Sequence, residues 1–152
     1  MKALLCRANA DDIGTAKIED VTLPELGAND VRIRVRAAAV NFPDILMIQG
    51  KYQHKPELPF VVGGERAGDV IAVGSGVTKL KVGDRVVGGA LAGGFAQEAQ
   101  GPESSYRPIP GSADYAIASA YTTAYVTAFA VLAAAVVAGV AAYLYFQSCD
   151  NH

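Results

Sequence analysis

The sequence predicts a mainly β fold, an antiparallel barrel or sandwich, followed by an apolar helical segment. Three observations carry that expectation. Between residue 1 and about residue 110, short apolar runs recur at close intervals with glycine between them, a spacing that favours small antiparallel all-β architectures. One run, Val31–Ala37, alternates apolar residues at 31, 33, 35 and 37 with arginines at 32, 34 and 36, the period of a strand with one buried face. From Ala116 to Phe146 the chain carries no charged residue and no Asn, Gln or His.

Taken in order, residues 2–7 and 16–22 read as strands on either side of an Ala10-Asp11-Asp12-Ile13-Gly14 turn. Val31–Ala37 follows, and strand alternation alone makes its arginines a solvated face. Phe42–Gly50 reads as a short helix, with Pro43 tolerated in the first turn. Asp69–Val73 is a strand ended by Gly74-Ser75-Gly76, and Arg85–Val87 is another, introduced by Gly83-Asp84. Gly93-Gly94-Phe95-Ala96 introduces a further strand. Ala116–Leu132 is rich in Ala, Ser, Thr and Tyr, whereas Ala133–Phe146 is Ala and Val around Gly139 and ends in Tyr143-Leu144-Tyr145-Phe146. This stretch is long enough to span a bilayer, yet Ala is weakly apolar and no Lys or Arg flanks its C-terminal end.

The length of 152 residues suits one domain, or one domain with an appendage. Charged residues make up 18% of the chain, fewer than in an ordinary soluble domain, and most of the apolar excess lies after Tyr115. A net charge of −2 with no dense basic patch argues against a nucleic-acid partner. The two cysteines, Cys6 and Cys149, form no CxxC pair, and the only histidines are His54 and His152. That argues against a disulfide framework and a zinc cluster. The N-terminus has too short an apolar stretch for a secretory signal. The expected compartment is the cytoplasm, with membrane association through residues 129–146 as the alternative.

Val40-Asn41-Phe42-Pro43-Asp44, Gly50-Lys51-Tyr52, Leu58–Glu65 and Ala67-Gly68 occur in an order that continues through Val73–Val77, Lys81–Val86, Gly93–Ala96 and Tyr125–Phe129. In order and spacing, roughly residues 1–132 resemble the NADPH-dependent quinone oxidoreductases, the zinc-free branch of the medium-chain dehydrogenase/reductases. The resemblance implies a GroES-like, partly open β-barrel over residues 1–115. It also implies a helix over 116–132 that in the family leads to the cofactor domain, NADPH as cofactor, and a small quinone or enone as substrate. The zinc-dependent branch has a cysteine where this chain has Asn41 and a histidine where it has Gly64, so the resemblance implies hydride transfer without zinc.

The same resemblance places Asn41, Phe42, Asp44 and Thr127 toward the cofactor, and Tyr52 with Asn41 at the reacting ring. Each has a plainer reading. Asn41 can cap a turn, Asp44 can favour the helix dipole, Tyr52 can simply pack, and Thr127 can bond its own i−4 carbonyl. Lys51, His54 and Lys55 read as a solvated loop, or as an electrostatic assist to a hydroquinone anion. Glu65 reads as structural, with Arg66 as a candidate ion-pair partner. Gly74-Ser75-Gly76-Val77-Thr78-Lys79 begins like a dinucleotide fingerprint, but its sixth position is Lys79, so it reads as a turn that ends a strand.

Nothing after Leu132 resembles the Rossmann domain that carries most NADPH contacts in the family. Three accounts of residues 133–152 stay open: an out-of-frame replacement of the second domain, put first here; a membrane anchor; and a soluble helix that packs on the barrel or drives homodimer formation. Two functions follow. One is the N-terminal part of an NADPH-dependent quinone or enone reductase, inactive without its cofactor domain. The other is a non-enzymatic barrel module tethered by its apolar helix.

Overall fold

In a computed structural model, which describes residues 1–149, the arginine-flanked strand organises the first of two units. That strand, β3 (Asp30–Ala39), buries Val31 and Ile33 completely, each worth about 1.5–3 kcal/mol of apolar transfer. Arg34 and Arg36 face solvent, as the alternation requires. Arg32 is half-buried and bonds Gln100 and the Pro24 carbonyl.

The chain forms two units, residues 1–120 and 121–152. In the first, β1 (Lys2–Cys6) lies between β2 (Lys17–Asp20) and β4 (Phe60–Val61) in a three-stranded antiparallel sheet. The second sheet has the order β7–β3–β5–β6–β8, where β5 is Glu65–Val73, β6 Arg85–Gly89, β7 Glu98–Pro102 and β8 Tyr106–Pro108. Neither sheet closes on itself. A bridge between Ala3 and Ala96, with Gln97 N–H donating to the Lys2 carbonyl at 3.0 Å, stitches β1 to the chain entering β7. The result is a pair of open antiparallel sheets, the mainly β arrangement that the sequence predicts. Helix α1 (Phe42–Ile48) follows β3.

Two apolar clusters fill the unit. Val31, Ile33, Val70, Leu80, Val86, Ala99 and Tyr106 make one, inside the larger sheet. Cys6, Ala16, Met47, Ile48, Phe60 and Val62 make the other, under α1. Burial pushes the Cys6 thiol up, so this cysteine is a small apolar core residue.

Some expectations need correction. β5 begins at Glu65, four residues before the expected Asp69. Glu65–Gly68 are all buried, so they show no alternation to read. At Gly68 the strand passes so close to β3 that a Cβ would run into the Arg34 carbonyl. β4 and β8 are too short to carry a period. The expected turn at residues 10–14 includes the start of a 3-10 turn, Ile13–Thr15, capped by the Asp12 side chain.

Past residue 115 the backbone stays helical through the change of composition at residue 133. One helix, α2, runs from Tyr115 to Cys149, and the tail residues 150–152 lie outside the described residues. Asp114 caps it, its Oδ1 accepting from Ala116 N–H at 2.8 Å and Ile117 N–H at 3.1 Å. Further along, Tyr121 and Tyr125 stack at 4.8 Å, one turn apart. Apolar side chains are exposed on all its faces between Tyr121 and Val140, including Phe129, Val131 and Val137.

Candidate functional site

The candidate residues gather at the two ends of α1. Asn41 leaves β3 in an extended conformation, φ −122° and ψ 156°, and stands as the N-cap. Pro43 supplies the preset φ of the first turn. Asp44, one residue later, is only 2% exposed. Its Oδ2 accepts the Asn41 backbone N–H at 2.7 Å, and its Oδ1 accepts the Gly64 N–H at 3.0 Å. One carboxylate therefore ties the start of α1 to the Gly63-Gly64 turn ahead of β5. Burial raises its pKa, and the two N–H groups pull the other way.

That turn depends on Gly63, whose φ of +102° suits glycine. A Cβ there would stand 2.5 Å from Cδ1 of Phe95. The next residue but one, Glu65, is buried, and its carboxylate accepts the Asn41 side-chain amide at 3.0 Å. This contact fixes which way the Asn41 amide faces. Around it, Val40 and Phe42 are 74% and 70% exposed, so a fixed polar group is flanked by open apolar surface.

At the other end of α1, the Tyr52 N–H donates to the Leu46 carbonyl at 3.2 Å. The ring is half-buried against the Met47–Phe60 cluster, on which Ala92 and Phe95 also pack. His54 meets the Tyr52 ring edge-on, with centroids 6.2 Å apart. Lys51, read as part of a solvated loop or as an electrostatic assist, is paired with Asp11 at 2.6 Å on the exposed surface.

Asn41, Phe42, Asp44 and Tyr52 thus share one helix and its flanks. Asp44 turns its oxygens inward to backbone, which makes it a brace for this group. Thr127 lies on α2 in the second unit. Sequence reasoning missed the part played by Glu65 on Asn41, and it offered Arg66 only as an ion-pair partner for Glu65. Adjacent strand residues point to opposite sides, so Arg66 does not follow Glu65: it bonds the Ala92 carbonyl and the Tyr106 hydroxyl. The signal available was a charged pair set among small residues in Gly63-Gly64-Glu65-Arg66-Ala67-Gly68.

Free N–H groups at a turn can hold a phosphate, and the glycine turn at residues 74–79 does not offer them. There the N–H groups of Thr78, Lys79 and Leu80 all donate to one oxygen of Glu103, at 3.1, 2.5 and 3.0 Å. Its own carboxylate already fills the cradle. Among the described residues, no group of three His, Cys, Asp or Glu could hold a metal ion.

Residues 27–139 match the family model for the alcohol dehydrogenase GroES-like domain. The chain is 48% identical over 96 residues to a quinone oxidoreductase-like protein 2 homolog from Nematostella vectensis, covering 62% of this chain and 26% of that protein. It is 37% identical over 123 residues to the human mitochondrial enoyl-[acyl-carrier-protein] reductase, covering 80% of this chain and 32% of that protein. Among solved structures it resembles the quinone oxidoreductase from Thermus thermophilus, whose complex with NADPH is also known. The TM-score is 0.73 and the identity 28%, over 89% of this chain and 41% of that one. The chain spans about a quarter to a third of the length of these curated relatives.

Proposed function

The chain belongs to the alcohol dehydrogenase GroES-like domain family, within the medium-chain dehydrogenases and reductases, and on that premise we propose that it is the substrate-binding part of an NADPH-dependent reductase of quinones or enones. The observation that carries the reading is the oriented amide: Glu65 holds the Asn41 side chain at 3.0 Å, between the exposed Val40 and Phe42. NADPH, when bound, supplies the hydride. Asn41 would orient the nicotinamide or its ribose, Phe42 would lie against it, and Asp44 would keep both in place by bracing the turn. Tyr52 would donate its phenol to the carbonyl oxygen on which charge develops. With an amide at 41 and no side chain at 64, this group offers no thiolate or imidazole to zinc, so orientation and water exclusion carry the catalysis. The compartment we propose is the cytoplasm.

The test is titration of the full chain with 1,4-naphthoquinone, followed by NMR at Tyr52 and Asn41. Saturable shifts at both are expected, with affinity reduced about fivefold to tenfold in Tyr52→Phe, the loss of one hydrogen bond. Added NADPH should not bind at micromolar concentration, since Glu103 already holds the N–H groups of Thr78, Lys79 and Leu80. Naphthoquinone shifts that avoid α1, or an unchanged affinity in Tyr52→Phe, would sink the reading.

A second reading is favoured by one observation: the stretch Tyr115–Val140 is long and apolar enough to cross a membrane and is not buried. On that reading the GroES-like unit is a non-enzymatic module held at a bilayer by α2.

A further inference from the structure

Arg66 sits on β5 directly after Glu65 and is 1% exposed. Its terminal nitrogens donate to two uncharged oxygens. Nη1 reaches the Ala92 carbonyl at 3.3 Å and Nη2 the Tyr106 hydroxyl at 3.1 Å, with the guanidinium 5.5 Å from the Tyr106 ring centroid. Nε has no hydrogen-bond partner. A cation buried on these terms is a poor stabiliser. An unbranched apolar side chain of similar length would fill the space without an orphaned donor or a desolvated charge. Stability alone therefore does not account for an arginine here.

What Arg66 holds is a loop. The segment from Ala90 to Phe95 is most of the connection between β6 and β7. Its N–H groups pair with the chain around Gly63: Ala90 with the Gly64 carbonyl at 3.0 Å, Gly93 with Val61 at 2.7 Å, Gly94 with Gly63 at 2.8 Å and Phe95 with Val62 at 2.8 Å. The Ala92 carbonyl is left for Arg66. The Ala92 and Phe95 side chains pack on the same cluster as Tyr52, and Gly64 is the residue that Asp44 braces. We propose that Arg66 is a positioning residue for the candidate site, latching the Ala90–Phe95 loop so that it forms a fixed wall beside Tyr52. This rests on the reading of Tyr52 as a substrate-facing residue.

The test compares Arg66→Met and Arg66→Lys with the wild-type full chain, by residue-resolved amide hydrogen exchange and urea unfolding. In Arg66→Met, exchange at Gly93, Gly94 and Phe95 should accelerate about tenfold or more, as expected for losing a hydrogen bond to a charged group. Val31, Ile33 and Val70 should keep their protection, and the urea midpoint should hold or rise. Arg66→Lys keeps the charge but not the two-pronged reach, so the same loop should accelerate less. Unchanged loop exchange in both variants overturns the proposal. So does a loss of protection spread evenly over the first unit with a lower midpoint, the mark of an ordinary core residue. If Arg66→Met does not fold, Arg66→Lys decides alone, and an unchanged loop again overturns the latch. The readout needs no ligand. A latch that passes while naphthoquinone shows no contact at Tyr52 leaves the loop device standing and removes the substrate reading beneath it.

Discussion

Asp44 is where a single side chain joins local sequence to the site, and it leaves a pH signature. Burial raises its folded pKa, so the folded state holds that proton more tightly than the open chain does. A carboxyl shifted upward contributes most below the ordinary carboxylate range, and that contribution fades as pH rises through the raised pKa. Asp69 runs the opposite way: its hydrogen bond from Tyr115 and its pairing with Arg36 lower its pKa, so its stabilisation is present at higher pH and lost on acidification. The two trends overlap, and only the difference between wild type and Asp44→Asn isolates Asp44. The variant should be less stable by about 1–3 kcal/mol, because its amide cannot accept both N–H groups. That gap should shrink as pH rises from about 3 to 7. Urea unfolding across the range checks it, and a gap that widens with pH would contradict the burial account. The resemblance named Asn41, Phe42, Asp44 and Tyr52, and the structure sets them on one short helix and its flanks. The hold of Glu65 on Asn41 was not legible in the sequence, because that contact arises only where β3 and β5 lie side by side, with Ala39 opposite Glu65.

Among the elements, legibility followed burial pattern. β3 could be read because one of its faces is wet, whereas the first half of β5 could not, being buried throughout. The approach to α2 was equally silent, since it depends on one long side chain far back in the chain. Arg85 on β6 donates to the carbonyls of Pro110, Gly111 and Ala113, and its Nε donates to the Tyr115 hydroxyl at 2.7 Å. Its guanidinium lies 4.1 Å from the Tyr115 ring centroid, and the Tyr115 hydroxyl in turn donates to Asp69. One arginine thus gathers the connecting chain and roots the first turn of α2 on the larger sheet. Arg85→Met keeps the aliphatic length but drops every donor. It should cost about 1–3 kcal/mol and speed amide exchange at Ala113 and Ala118 while β1 and β2 stay protected. If β1 and β2 lose protection in step, Arg85 supports the whole unit and not the helix root.

For the whole molecule, the decisive feature is an apolar helix with no polar face. The uncharged run was plain in the sequence, but its continuity was not. The change from Ser- and Thr-bearing text to Ala and Val suggested two segments, while the backbone forms one helix because Ala dominates both and no Pro interrupts them. A helix built to pack on one side would show a single apolar stripe. Here Phe129, Val131, Leu132, Val136 and Val137 are all exposed, more apolar surface than a soluble monomer ordinarily leaves open. The full chain should therefore either sediment with membranes and stay there in high salt, or be soluble and self-associated. Val131→Glu with Val136→Glu separates the two outcomes. In a bilayer, each charge costs about 2.5–3.5 kcal/mol at mid-span, so the variant should leave the membrane pellet. In solution the variant should turn a polydisperse species into a monomer by light scattering. Both residues lie in the second unit, so the urea midpoint of residues 1–120 should not move. A wild-type chain that is already soluble and monomeric would show that α2 is no association surface, and the tethered-module reading would go with it.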